Sequence, residues 1–269
     1  MSRLAETFAR LRQERRPGLV TYTTAGDPDL ERSADILRAL VRAGADVLEV
    51  GVPFSDPLAD GPVIQRATER ALAAGGSLRA SLDLIETVRG DTPSTPIVVF
   101  SYANPIVRMG LQTFADRAAA AGVDGVLALD LPVEEAGEFR AVLAKAGIDT
   151  IFLLSPTTTD ERITKAGQLG SGFLYGISRL GVTGARDSVA TGAEEMVARI
   201  RRFTDLPLAL GFGISRPEHV ADVGRYADAA VVGSALVALI AEASGTPQLV
   251  ERVEDYVRSL RAACVARQA

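Results

Sequence analysis

The chain has 269 residues, of which 47% are hydrophobic and 23% charged, with a net charge of −5 and an isoelectric point near 5.1. This composition is not that of a disordered chain, and its acidic balance argues against a nucleic-acid partner. The apolar runs are shorter than the roughly 20 residues that cross a bilayer, and the N-terminal segment does not resemble a signal peptide. We therefore expect a cytoplasmic protein without a membrane partner, folded as a single domain over residues 1–269.

Short runs rich in β-branched residues predict strands, and in chain order they cover 18–24, 46–51, 96–102, 124–130, 149–155, 172–178, 206–212 and 228–234. Segments with helical periodicity lie between them, among them 30–43, 111–121, 133–146 and 192–203. Strands that are apolar on both faces and joined by helices are parallel, and eight right-handed βα units close into a barrel. The predicted fold is therefore an α/β protein with one (β/α)8 TIM barrel; the alternative is a doubly wound open sheet.

Two regions exceed this simple alternation. Residues 2–15 predict an extra N-terminal helix, which we expect to cover the bottom of the barrel, and residues 62–74 and 78–89 predict a pair of helices after the second strand. A degenerate repeat also occurs in RAGADVLEV, AAGVDGVLAL and KAGIDTIFLL, with GRYADAAVV as a looser copy. In each of the first three, a helix ends at a glycine and an aspartate precedes an apolar strand.

The stretch LEVGVPFSDPLADGPVIQRA, residues 48–67, carries the carboxylates Glu49, Asp56 and Asp60. Glu49 lies near the carboxyl end of the second predicted strand, where TIM barrels place reactive groups. In an apolar site its pKa rises and it can act as a general acid; the alternative is a glutamate paired with an arginine across the barrel. Asp60 either caps a turn or remains ionised while Glu49 is protonated.

Glycine-rich loops follow the last three predicted strands, as LGVTGARD, GFGIS and VVGSA. Loops at these positions bind phosphate in TIM barrels, with ordinary turns as the alternative. Aromatic residues in the strands either fill the core or line a slot for a flat apolar substrate; they are Tyr22, Phe100, Tyr102, Phe152, Tyr175 and Phe212. With one cysteine, Cys264, and one histidine, His219, we expect no metal site and no Ser-His or Cys-His nucleophile.

These motifs resemble those of the tryptophan synthase α chain family. LEVGVPFSDPLADGPVIQ is similar to the family signature, and the order of the others is the family's: TTAGDPD, SYANP, DLPVEE, SPTTTDERI, GVTG, GFGIS and VVGSALV. The resemblance covers nearly the whole chain. It implies a TIM-barrel lyase of tryptophan biosynthesis that cleaves indole-3-glycerol phosphate to indole and glyceraldehyde 3-phosphate by a retro-aldol step. It implies no cofactor in this chain, because protonated indole is itself the electron sink.

The resemblance also implies roles for individual residues. Glu49 matches the glutamate that protonates indole C3 and takes the proton of the substrate hydroxyl. Asp60 matches the aspartate that binds the indole N–H, and Thr183 the threonine of a mobile loop that contacts this aspartate. The remaining expected substrate-binding positions are Tyr22, where the family commonly has phenylalanine, Tyr102 at the indole end, Tyr175 beside the glutamate, and Gly184, Phe212, Gly213, Gly233 and Ser234 at the phosphate.

The family's α chain docks on a β chain that carries pyridoxal phosphate and receives indole through a tunnel. Pro53, Asp56, Asn104 and Pro132 match positions on the docking face, so that Asp56 is expected to be a contact residue rather than a third catalytic acid. The assembly implied is an αββα heterotetramer. Two alternatives are a free-standing indole-3-glycerol-phosphate lyase and a catalytically idle subunit that binds and activates a β chain.

Overall fold

The computed structural model describes residues 2–177, 192–211 and 213–265. Its strands are β1 (Gly18–Thr24), β2 (Val47–Gly51), β3 (Ile97–Ser101), β4 (Gly125–Ala128), β5 (Asp149–Ile151), β6 (Leu153–Leu154), β7 (Leu174–Ile177), β8 (Leu208–Gly211) and β9 (Ala229–Val232). The helices described are α1 (Arg3–Gln13), α2 (Leu30–Arg42), α3 (Pro62–Ala73), α4 (Leu78–Arg89), α5 (Ala103–Met109), α6 (Leu111–Ala121), α7 (Gly137–Lys145), α8 (Asp160–Leu169), α9 (Ala193–Ile200), α10 (Pro217–Val223), α11 (Ser234–Ala243) and α12 (Leu249–Ala262). Within the described ranges, no helix has both the length and the apolar character needed to cross a membrane.

The strands form one parallel sheet in the order β5-β4-β3-β2-β1-β9-β8-β7-β6. The strands at the two ends of this order, β5 and β6, are consecutive parts of one extended segment, so the chain itself closes the ring. The TIM-barrel prediction is confirmed. Nine strands replace the eight predicted because the fifth is interrupted at Phe152, whose carbonyl still accepts a hydrogen bond of 2.9 Å from the N–H of Tyr175.

Alternate strand residues pack into two separate cores. Val47 faces the barrel interior, whereas Leu48 and Val50 pack against the surrounding helices. Side chains on a strand alternate in direction, so Glu49 shares the inward direction of Val47. The interior core also contains the apolar face of α1, which closes the bottom of the barrel as predicted; its members include Leu4, Phe8, Leu11, Val20, Val98, Leu127, Ile151, Phe173, Ala209 and Val231.

The helix pair predicted after the second strand is present as α3 and α4. Two helix predictions need correction. The helix predicted over 133–146 begins only at Gly137, because a turn closed by the Glu135 N–H and the Pro132 carbonyl occupies the preceding residues. Helix α5 follows β3 almost directly and was not predicted from the periodicity, because its seven residues are too few to show a pattern.

Three of the four aspartates in the internal repeat accept hydrogen bonds from backbone N–H groups at the beginnings of neighbouring strands. Asp124, at the start of β4, accepts the N–H of Ile97 at 2.8 Å, which is the first residue of β3. Asp46 and Asp228 accept the N–H groups of Leu19 and Leu208 in the same way. These three aspartates also pair with arginines, namely Arg89 for Asp124, Arg16 for Asp46 and Arg201 for Asp228, whereas Asp149 of the remaining copy accepts the Ser2 hydroxyl. The repeat therefore provides hydrogen-bond acceptors for backbone N–H groups at the beginnings of strands, at the bottom of the barrel.

We expect Asp124→Ala to lower the free energy of unfolding by about 3 kcal/mol, because it leaves the largely buried Arg89 without its carboxylate and the Ile97 N–H without its acceptor. Urea unfolding followed by circular dichroism measures this loss. Asp83→Ala is the matched control: Asp83 pairs with Arg117 on the surface, so its loss is expected to cost less than about 1 kcal/mol. Equal losses in the two variants would contradict the structural role given to Asp124.

Candidate active site

A pocket of about 610 Å³, a volume that includes open solvent at its mouth, lies where several strands end and their loops begin. Its wall is mostly apolar and aromatic, and it includes one carboxyl group and the backbone of two glycine-rich loops. The lining residues are Tyr22, Asp60, Ile64, Phe100, Tyr175, Gly213, Ile214, Val231, Gly233, Ser234 and Ala235. Such a mixture suits an organic ligand with a flat apolar part and an anionic part.

Glu49 lies in β2, with Tyr22 of β1 and Val98 of β3 as its register partners. Its side chain is fully buried, and within the described part of the chain neither carboxyl oxygen has a hydrogen-bond partner. Burial raises the pKa of Glu49 to about 8, so the group is protonated at neutral pH. The alternative of a Glu49–arginine pair is wrong for the described residues.

Glu49 does not itself line the pocket; tyrosine side chains next to it do. Burial raises the pKa of the Tyr175 hydroxyl, and the Glu49 charge raises it further, so these two side chains lie close together. Burial and then the Asp60 charge are the main causes of the raised pKa of Tyr22. Tyr22 thus lies near both carboxyl groups and Tyr175 near Glu49.

Asp60 lies in a turn closed by a bond of 3.1 Å from its own N–H to the Pro57 carbonyl, in agreement with the turn interpretation. Its carboxyl oxygen, however, accepts a hydrogen bond of 3.0 Å from the Tyr102 hydroxyl, which in turn accepts the N–H of Ala59 at 3.0 Å. Burial raises the pKa of Asp60 to about 6, and the Tyr102 bond opposes this rise. At neutral pH Asp60 is therefore mostly ionised while Glu49 is protonated.

The beginning of α3 holds the Asp60 turn in place. Gly61 is the N-cap and Pro62 the first helical residue, a position where proline's missing N–H costs nothing. The Gln65 side chain donates to the Asp60 carbonyl at 2.8 Å. Ile64, in the same first turn, lines the pocket and was not among the predicted site residues; its place directly after the Asp60 turn was the available signal.

Three aromatic rings form one wall of the pocket. The Tyr22 and Phe100 rings meet edge to face, with their centroids 5.2 Å apart. The centroid of the Phe100 ring lies 6.5 Å from that of Tyr175. The Tyr22 hydroxyl reaches Thr24 Oγ1 at 3.4 Å, so it does find a hydrogen bond. A Cβ at Gly51 would clash with this hydroxyl, which explains the glycine there. Phe100 lines the pocket as the aromatic pattern suggested, whereas Phe152 packs outward in the helix-facing core.

Two glycine-rich loops meet at the pocket. Gly213, with φ of +73°, follows β8, and Gly233 is the N-cap of α11. Gly233 supplies no side-chain cap, and Ser234 and Ala235 of the first turn line the pocket. A helix beginning of this kind attracts an anion through its amide groups and dipole. Of the other predicted residues, Thr183, Gly184 and Phe212 lie outside the described residues.

The residues predicted to contact a partner differ in exposure. Asp56 and Pro132 are exposed on the loops after β2 and β4, and Asn104 is exposed in α5, which follows β3. Pro53 is buried, with its ring close to Gly76, so in this conformation it supports the loop rather than presenting a surface. Two large apolar side chains that were not predicted are exposed on the same segments, namely Leu58 at 92% and Val107 at 72%.

A family model described as tryptophan synthase alpha chain matches residues 8–265. A protein of that name from Methylococcus capsulatus is 50% identical over 264 residues, which are 98% of this chain and 99% of that protein. Another from Solibacter usitatus is 46% identical over 267 residues, covering 99% and 100%. Among solved structures, Mycobacterium tuberculosis tryptophan synthase is similar with a TM-score of 0.90 and 37% identity, and tryptophan synthase subunit alpha from Legionella pneumophila with 0.89 and 39%; coverage is 98% of both chains in each case.

Proposed function

The chain belongs to the tryptophan synthase alpha chain family, and from this premise we propose that Glu49 and Asp60 carry out its lyase reaction, the cleavage of indole-3-glycerol phosphate to indole and glyceraldehyde 3-phosphate. The observation that carries the proposal is the fully buried Glu49 carboxyl, protonated at neutral pH, next to a pocket that contains the ionised Asp60. Such a pair supplies an acid and a negative charge within one site.

In the first step Glu49 donates its proton to C3 of the indole ring, which leaves a positive charge on the ring. The Asp60 carboxylate accepts a hydrogen bond from the ring N–H and stabilises this charge. Tyr102 holds the Asp60 carboxylate through its 3.0 Å bond. In this arrangement Tyr102 positions the anion, and the aromatic wall formed by Tyr22, Phe100 and Tyr175 holds the flat ring.

In the second step the Glu49 carboxylate takes the proton of the hydroxyl on the side-chain carbon that is bonded to indole C3, whose bond to C3 breaks. The carbon–carbon electron pair returns to the ring, a C=O bond forms, and indole and the aldehyde separate. Glu49 is protonated again at the end. Because the protonated ring accepts the electron pair, the step needs no cofactor in this chain; pyridoxal phosphate is expected only in the β chain.

The Glu49 carboxyl has to turn toward the pocket for this chemistry, because it does not line the pocket in the conformation described. Neither of its oxygens is bonded to a described residue, so the turn breaks no hydrogen bond there. A neutral side chain also moves without the desolvation cost of a charge. Both properties support a mobile acid at this position.

The phosphate of the substrate is proposed to bind at the amide groups of Gly213, Gly233 and Ser234. The absence of a side-chain cap on α11 supports this, since a capping side chain would compete for the same donors. The roles of Thr183, Gly184 and Phe212 in closing the site and binding phosphate stay predictions.

As the alpha chain of tryptophan synthase, this protein has a β chain as its partner. We propose that the exposed Asp56, Asn104 and Pro132 contribute to that contact and that the assembly is an αββα heterotetramer through which indole is channelled. The exposure of these three residues supports the proposal; the burial of Pro53 argues that its contribution is indirect. The cytoplasmic location and the single domain over residues 1–269 stay predictions.

The experiment that tests this function is indole release from indole-3-glycerol phosphate by the purified chain, alone and with a tryptophan synthase β chain. We expect slow release by the chain alone and an increase of about tenfold or more with the β chain, since closing and completing the site raises the rate. Fast release without a partner would favour the free-standing lyase. No release in either case would indicate the idle subunit and contradict the assignment of Glu49 and Asp60.

A further inference from the structure

The backbone of Ser215 is held from both sides, behind the pocket. Its N–H donates to Nδ1 of His219 at 3.3 Å, and its carbonyl accepts the Tyr256 hydroxyl at 2.9 Å. His219 lies in the first turn of α10 and is buried, and Tyr256 lies on α12. We call Ser215, His219 and Tyr256 the Ser215 clamp. Neither clamping side chain lines the pocket.

The clamp depends on a defined state of the histidine ring. Nε2 of His219 lies 3.2 Å from a guanidinium nitrogen of Arg216, and Nδ1 faces the Ser215 N–H. A neutral imidazole has one nitrogen lone pair that can accept a hydrogen bond, so it can accept from only one of these two donors. The Ser215 N–H is fixed by the backbone and cannot turn away from Nδ1. We therefore assign the lone pair to Nδ1 and the ring proton to Nε2. The Arg216 guanidinium has only donors, so its 3.2 Å approach to Nε2 is then a contact between two donors and not a hydrogen bond.

Ser215 directly follows two residues that form the pocket wall, Gly213 and Ile214. The peptide group is planar, so the bond to the Ser215 N–H also sets the direction of the Ile214 carbonyl. Gly213, with φ of +73°, is a backbone position with wide conformational freedom. A loop that contains such a residue keeps one conformation only when its neighbours are held.

We propose that His219 and Tyr256 are positioning residues for the phosphate end of the substrate: by holding Ser215 from both sides, they set the place of the Gly213 and Ile214 backbone at the anion site. The inference rests on the proposed function in one respect, that this loop binds phosphate. The clamp is expected to act on binding, since neither side chain lines the pocket in which the reaction takes place.

Three variants of the clamp separate positioning from simple packing. His219→Leu removes the acceptor, and His219→Asn restores one, because Oδ1 of asparagine lies the same number of bonds from the backbone as Nδ1. Tyr256→Phe removes only the hydroxyl and leaves the ring that packs in the core. Tyr226→Phe, a partly buried tyrosine outside the clamp, is the matched control.

Loss of either bond is expected to raise KM for indole-3-glycerol phosphate about tenfold while kcat changes by less than about twofold, because displaced Gly213 and Ile214 backbone groups weaken phosphate binding equally in the ground state and the transition state. His219→Asn and Tyr226→Phe are expected to keep the parent KM. Competitive inhibition by glycerol 3-phosphate should weaken in parallel with KM, and inhibition by indole, which has no phosphate, should not change.

Each remaining outcome is decisive. If His219→Leu and Tyr256→Phe retain the parent KM and the parent inhibition by glycerol 3-phosphate, the clamp does not position the anion site. If inhibition by indole weakens as much as inhibition by glycerol 3-phosphate, the effect is general loosening of the barrel and the inference is overturned. Failure of the parent chain to release indole would instead contradict the proposed function, so the two failures are distinguishable.

Discussion

Glu49→Gln is expected to reduce kcat for indole release by about 10² to 10⁴-fold, the usual contribution of a general acid or base. Glutamine keeps the shape of the side chain but has no proton to transfer to indole C3. Stopped-flow or coupled measurement of indole release, with saturating β chain, gives the rate. Undiminished turnover would remove Glu49 from the mechanism.

The fold is expected to survive this change. Glu49 is already neutral in its buried position, since burial raises its pKa to about 8, and replacing one neutral group by another of the same size adds no buried charge. Binding to the β chain should persist as well, because Glu49 lies inside the barrel. Loss of β-chain binding would indicate misfolding rather than missing chemistry.

Thr21→Val is the matched control for Glu49→Gln. Thr21 lies on the neighbouring strand β1, is fully buried and has a hydroxyl that bonds to no described residue. It points away from the barrel interior, because Val20 and Tyr22 on either side face inward. Its replacement by valine is expected to leave turnover unchanged, which shows that the effect at position 49 belongs to the carboxyl.

Asp60→Asn is expected to lower kcat by about 10² to 10³-fold, the typical result of removing one group that stabilises charge in a transition state. Asparagine keeps an oxygen that accepts the Tyr102 hydroxyl and the ring N–H, so binding should suffer less than turnover. What it lacks is the negative charge opposite the protonated ring. Normal activity of Asp60→Asn would indicate that Asp60 forms the turn and has no part in the reaction.

The pH dependence of kcat/KM distinguishes the two carboxyl groups. Asp60 has to be ionised, so activity of the parent should fall as the pH drops below its pKa of about 6. Glu49 has to be protonated, so activity should also fall as the pH rises above about 8. In Asp60→Asn the decline on the acid side should disappear and that on the alkaline side remain. A parent rate that keeps rising through pH 9 would contradict the acid role of Glu49.

The sequence was a good guide wherever a local pattern decides the structure. The strand predicted over 18–24 has the same bounds in the barrel, and the helix pair after β2 was placed within a residue or so. Local patterns were insufficient for α5 and for the turn before α7, because each is decided by a few residues and by what they pack against. The interruption at Phe152 likewise has no sequence signal of its own.

The order of motifs and the alternation of apolar strands and helices were enough to establish the barrel, the family and the two carboxyl groups as candidates. The ionisation of those groups was decided only by the tertiary structure. Glu49 is neutral because strands from the whole barrel exclude water around it, and Asp60 is held by Tyr102, 42 residues away in the chain. The Ser215 clamp likewise joins Tyr256 to a loop 41 residues earlier. Burial and hydrogen bonding of this kind depend on contacts between segments that are far apart in the chain. A local sequence pattern does not show which segments come into contact.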